Sequence, residues 1–212
     1  LHDIYLYNSG TIDNPTLTLD AVAWTSSTAG SSSRATAIAY QNGVPVKTGA
    51  LGRRYIGTIM TTSTAGQCEV SFGRTAATGG SAPKCLLWNA QNRVLGGFTS
   101  LDSTASWTYT TDTWRQKNGS AGNQFSFITG LPAEVIYASG TSLNANATAG
   151  VKRYSALGLN GTAPYGIYPS TTSFTAISAF VTLQPAAGYN YLAELEKSDA
   201  TGTTTWYGTT SS

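Results

Sequence analysis

Alternation with a period of two residues recurs along this chain, and it sets what the chain can fold into. In residues 189–197 (YNYLAELEK), Tyr189, Tyr191, Ala193 and Leu195 point one way, and Asn190, Glu194 and Glu196 the other. In residues 106–113, Trp107, Tyr109, Thr111 and Thr113 alternate with Ser106, Thr108, Thr110 and Asp112. Period two built from Thr, Tyr and Trp is a strand signal. No segment sustains a 3.6-residue period over three turns. The stretch 84–123 carries three of the five tryptophans, Trp88, Trp107 and Trp114. A lone hairpin does not bury such side chains, so these strands need a second layer. Asp112, inside Thr-Thr-Asp-Thr, reads either as part of a continuous strand or as a turn between two short ones. On a continuous strand Trp107 faces the core and Trp114, of opposite parity, faces a neighbour or solvent.

Further strands are predicted at 4–7, 17–24 (with Leu17, Leu19, Ala21 and Ala23 on one face) and 34–41. Asn42-Gly43 then turns the chain into 44–47. Asn-Gly between β-rich runs signals a type I′ hairpin, because both central residues need positive φ. Pro45 donates nothing to a ladder and marks that return strand as an edge. Residues 53–62 carry bulk on both faces and read as a central strand. Strands follow at 125–129, 133–138, 151–159, 174–183 and 203–208, and 189–197 reads as half-buried. Many short strands without helix leave a β-sandwich or a barrel, read as one domain over 1–212. No repeat of 20–50 residues argues for a solenoid or propeller.

Only 10% of residues are charged and the formal net charge is +2, against about 25% charged in an ordinary globular protein. With aromatics plentiful, this is not the disordered signature. Low charge gives little protection against self-association and fits a protein that works inside an assembly. The basic pairs Arg53-Arg54 and Lys152-Arg153 are isolated, whereas nucleic-acid binding needs a stripe. Each pair reads as a solvated face or an intersubunit contact. No apolar run reaches membrane-spanning length, so no insertion is expected. No charged start leads into an apolar core, so no signal peptide is read. A start at Leu1 fits a processed or truncated chain.

Catalytic chemistry finds little to use. His2 is the one histidine, so a Ser–His–Asp or Cys–His arrangement would depend on it alone. Zinc would have only His2, Cys68, Cys85 and carboxylates. No phosphate loop, dinucleotide fingerprint or calcium loop is present. A glycoside hydrolase needs only two carboxylates. Asp112 lies between two tryptophans but reads as a turn residue, and Glu194 and Glu196 are expected to meet solvent or a neighbour's basic residue. The expectation is no enzyme, no metal and no cofactor. If residues 68–72 and 84–88 form a hairpin in which paired positions sum to 153, Cys68 faces Cys85, and a disulfide between them is an open alternative to two buried thiols. Asn118-Gly119-Ser120, Asn146-Ala147-Thr148 and Asn160-Gly161-Thr162 match a glycosylation pattern but read as turns.

Four ordered segments carry a resemblance: GVPVKTGALGRRYIGTIMTT, LLWNAQNRV, SWTYTTDTWRQ and the closing TGTTTWYG. Together they resemble a recurrent region of tailed-bacteriophage virion proteins, over most of residues 43–208. This chain departs from the pattern at Ala90-Gln91, where two aromatics are common, and at Leu95-Gly96-Gly97, where basic residues are common. The resemblance implies a fibre, spike or head-decoration component with a jelly-roll-like antiparallel β-sandwich, assembled as a homotrimer with other virion proteins on the phage particle surface. Residues 1–50 are then a candidate attachment segment. The family carries no catalytic residues to transfer. Two roles follow: attachment through a host-surface glycan, with Trp107, Asp112, Trp114 and Arg115 as candidate binding residues, or a decoration, head-spike or neck protein that clamps virion subunits.

Overall fold

The computed structural model describes residues 1–64, 66–91, 96–132, 134–171 and 173–209. Asn92, Arg93 and Val94 of the NRV segment, Leu95 and Ala133 lie outside the described residues.

The described residues form three sheets, antiparallel but for one pair of strands. The first holds β1 (His2–Asn8), β2 (Leu17–Ser26), β3 (Ser33–Arg34), β4 (Ile38–Gln41), β5 (Val44–Lys47) and β6 (Ala50–Ile59), in the order β3-β2-β1-β6-β5-β4. Strand β9 (Leu87–Asn89) also pairs with β6. The second is β10 (Ser106–Thr108), β18 (Thr204–Tyr207), β13 (Ile136–Asn146) and β16 (Phe174–Leu183) in that order. The third runs β15 (Pro164–Ser170), β14 (Arg153–Leu159), β17 (Gly188–Ser198), β12 (Gln124–Thr129), β8 (Lys84–Cys85) and β7 (Val70–Ser71), with β11 (Arg115–Gln116) also on β17. The exception is β12 with β8, which is parallel. The sole helical turn among the described residues is a 3-10 turn, Lys117–Gly119.

The second and third sheets face one another as a β-sandwich. Phe127, Leu157 and Leu192 of the third sheet close on Ala179 of the second, flanked by Ile136, Ala138, Val181 and Leu183. Toward the other end the same interface turns polar. Ser142, Asn144, Asn146, Arg153, Ser155, Glu196, Ser198 and Thr204 are all buried there. The first sheet packs Tyr5 and Tyr55 on Leu86, Trp88 and Ile128. Arg34 clamps it down, donating to Asp3 (2.6 Å) and to the Gly130 carbonyl. This third layer absorbs aromatics that two sheets would leave outside.

The Asn42-Gly43 turn has φ of 51° and 79°, and Gln41 pairs with Val44 as the dipeptide predicts. Several expectations are corrected. Strand β5 lies between β6 and β4 rather than at the edge, and Pro45 is tolerated because the β5–β6 ladder involves only Val46 and Lys47. The predicted strand 34–41 divides into β3 and β4, and β15 was not foreseen, since its Pro164, Gly166 and Pro169 mask the pattern. The 68–85 hairpin pairs Val70 with Cys85, a sum of 155 rather than 153. Cys68 bridges to Thr61 instead, and both cysteines are free thiols.

Strand β17 is not half-buried. It is paired by β14 on one edge and by β12 and β11 on the other, and both its faces are covered. The apolar face of β2 takes the opposite sense: Leu17 and Leu19 are exposed, while Val22 packs inward. Arg153, read with Lys152 as a solvated face or an intersubunit contact, is instead buried within the chain. Tyr55 and Leu192 are buried, whereas Phe180 stands out at 61% exposure. Asn118 and Asn160 sit in turns with φ of 55° and 56°, but Asn146 ends β13 and is buried.

Candidate functional site

The predicted binding residues come together around β17, in two layers. The chain breaks at Asp112 and Thr113 between β10 and β11, so the turn reading of Asp112 holds and the continuous strand does not. The break sends Trp107 and Trp114 to different places.

Trp107 is half-buried and points into the sandwich. Its Nε1 donates to both oxygens of Glu196, at 3.1 and 2.9 Å. Arg115 adds its Nε (2.8 Å) and Nη2 (2.7 Å), and the Asn118 backbone N–H donates at 3.2 Å. Glu196 is fully buried. Burial pushes its carboxyl up, while the Trp107 indole and the Arg115 charge pull the other way. One position along that face, Glu194 accepts from Lys117 at 2.8 Å. Contrary to expectation, Glu196 meets a basic residue of its own chain rather than solvent or a neighbour. Sealed and saturated with donors, its carboxylate has no route to a sugar, and this inner layer holds the sheets together.

The outer layer is open. Trp114, expected to face a neighbour or solvent, instead packs on Ala156, Ala193 and Leu195 on the far face of the third sheet. It meets the Tyr154 ring edge-on, with centroids 6.2 Å apart. Lys197 Nζ stands 5.3 Å from that ring's centre and is ion-paired with Asp112, which is well exposed. Arg115 CZ lies 3.8 Å from the ring centre of Tyr109, bridging the two layers. Beside Tyr154 opens a cleft of about 520 Å³ lined by Lys152, Tyr154, Pro169, Ser170 and Thr171. It falls in the range of small-molecule sites, about 300–1,000 Å³. A second, shallower hollow of about 350 Å³ lies against Tyr137 and Phe180 on the outer face of the second sheet, with Ser139 and Thr182 as its hydroxyls and no charged side chain.

The structure therefore brings Asp112 and Trp114 to the wall beside Tyr154, puts Arg115 between the layers, and takes Trp107 inside. Sequence reasoning missed Tyr154, Pro169, Ser170 and Thr171, and read Lys152 only as part of a solvated face or an intersubunit contact. The one available signal was the parity of 151–159, which sets Tyr154 opposite Ser155. Among the described residues no cluster of three or more His, Cys, Asp or Glu could hold a metal, and no helix is long and apolar enough to cross a membrane.

Comparison with protein-family models, curated proteins and solved structures finds no match to this chain.

Proposed function

We propose that the chain is a bacteriophage virion surface protein of fibre or spike type that meets a host-surface glycan at the Tyr154 cleft. The phage assignment rests on the four-segment resemblance, as do the jelly-roll-like description and the homotrimer. The glycan reading rests on one observation. The Tyr154 ring, held by Trp114 and Lys197, lines a cleft together with Pro169, two hydroxyls and an ammonium. An aromatic face takes the C–H face of a pyranose, while Ser170, Thr171 and Lys152 exchange hydrogen bonds with its hydroxyls. The role proposed is binding without turnover.

A second reading is a capsid decoration, head-spike or neck protein that clamps virion subunits. The exposed apolar face of β2 favours it, because such a face suits burial against protein rather than a sugar.

A glycan array on the purified chain, followed by calorimetry with the best glycan, tests the first reading. Tyr154→Ala and Lys152→Ala should each weaken binding at least about tenfold, roughly the loss of one good polar or stacking contact. Equal affinity in Tyr154→Ala overturns the cleft as the site. A particle reconstruction with the chain packed between capsid subunits, away from the distal surface, favours the clamp.

A further inference from the structure

The first sheet has an outer face that the described residues leave open. Cross-strand register sets Leu17 beside Asn8, Leu19 beside Leu6, Ala21 beside Ile4 and Ala23 beside His2. It continues from Ile4 to Gly57 and from His2 to Ile59 on β6, and from Ile59 to Leu87 on β9. Leu17 is 74% exposed, Leu19 63% and Leu87 44%. Ala21 and Ala23 are exposed, and Ile4, Leu6 and Ile59 half-exposed. No acidic residue or lysine occurs in these rows. Arg54, opposite Leu6, donates to Gln91 at 2.8 Å.

We infer that this face is a contact between two copies of the chain, packed sheet on sheet about a two-fold axis. Its chemistry excludes the other common occupants. A mostly aliphatic surface, with polar side chains only toward its margins (His2, Asn8, Thr25, Arg54 and Asn89), leaves most of a sugar's hydroxyls unpaired, and a single exposed guanidinium already bonded to Gln91 is not the basic stripe a nucleic acid needs. What covers it must be apolar, and an identical face is apolar by construction.

Area agrees. Three strands about 4.8 Å apart, with about seven residues each at about 3.3 Å, and the three residues of β9 present a plane of about 380 Å². A stable pair buries about 800 Å² per partner, and interfaces have an apolar centre within a polar rim. This face supplies such a centre, and Asn8, Thr25 and Asn89 supply rim.

Relief agrees too. Along β2 the face falls from bulky (Leu17, Leu19) to shallow (Ala21, Ala23). A two-fold axis in the plane, across the strands, lays the leucine end of one β2 over the alanine end of the other, so bulk fills hollow in both copies at once. Pairing by strand addition is a poor alternative, because the sheet ends in β3, of two residues, and β4, of four. Two-fold contacts use the same patch twice and close on themselves. Assemblies built with this face therefore contain an even number of copies, and a three-fold fibre using it would pair into six.

Light scattering on a size-exclusion column, over a micromolar concentration series, tests the inference. The unaltered chain should run as two copies or a higher even number. Leu19→Glu and Ala21→Arg should each weaken association at least about tenfold, because two-fold symmetry places every substitution in the interface twice. Both residues are exposed in the single chain, so far-ultraviolet circular dichroism should stay unchanged. Phe180→Glu, on the second sheet's outer face, should leave the mass unchanged. A single-copy mass throughout, an odd number of copies, or full association in folded Leu19→Glu and Ala21→Arg overturns the inference. The glycan reading is measured at Tyr154 by a separate assay, so either fails without the other.

Discussion

The Trp107 indole N–H is shared by both oxygens of the Glu196 carboxylate, at 3.1 and 2.9 Å. A short strand of one sheet is thereby tied to the central strand of the sheet facing it. Trp107 is paired in register with the fully buried Trp206, whose own Nε1 donates to the Tyr109 carbonyl. The polar end of the sandwich thus depends on donors directed at a buried acid.

Trp107→Phe keeps most of the apolar contact and removes one of those donors. It should destabilise the protein by about 1–3 kcal/mol, the range for losing a hydrogen bond to a buried charged group. Urea unfolding checks this, and no change in the midpoint would show that the indole bond contributes nothing.

Asp102 is buried and has no ion-pair partner among the described residues. Its oxygens accept from the backbone of Gly79 (3.0 Å) and Thr104 (2.9 Å) and from the side chains of Asn118 (3.0 Å) and Asn123 (2.7 Å). Burial alone would raise its carboxyl, but the bonds from Asn123, Thr104 and Asn118 outweigh that and hold it at about 2. The unfolded chain then takes up the proton first. Stability from this group is complete above about pH 4 and is lost as pH falls toward 2, on the order of 2 kcal/mol in all. Glu196 has the opposite sign: its raised carboxyl binds a proton more tightly when folded, so its contribution grows as pH falls through that raised value. Thermal melts from pH 7 to 2 should lose the low-pH fall in Asp102→Asn, relative to the unaltered chain.

Cys68 is exposed. Cys85 is half-buried, with its thiol pushed up by burial. The thiolate is the reactive form, so iodoacetamide at pH 8 should label Cys68 well before Cys85. Equal rates, read by peptide mass spectrometry, would contradict this placement.

A methyl group at Gly130 would fall within 2.1 Å of the Trp88 ring and 2.4 Å of the Tyr55 hydroxyl. Gly130→Ala should therefore cost about 1–3 kcal/mol through overpacking. Gly43→Ala meets open space, but φ of 79° strains it by roughly 1 kcal/mol. Denaturant midpoints should rank the two in that order.

Much of the fold was legible in the residues. The alternation at 174–183 became β16 and that at 189–197 became β17, because a strand's period is a property of its own backbone. Asn42-Gly43 turned as its dipeptide requires, since positive φ is a local demand. Asp112, Trp114 and Arg115 reached the neighbourhood of the cleft because one short segment carries them. What needed the tertiary structure was the choice of face and partner. Alternation separates Leu19 from Val22 and Leu195 from Glu196 but does not say which side is covered; the layers decided that, leaving Leu19 outside and sealing Glu196 inside. Register moved by two at Cys85 because Cys68 found Thr61 instead. Tyr154 and Pro169 meet across β14 and β15, and only their pairing makes a cleft with Trp114 beside it. Period and turn are local energies that the sequence determines alone. Burial and register are decided by contacts between residues far apart in the chain, where competing pairings differ by little until the whole core is assembled.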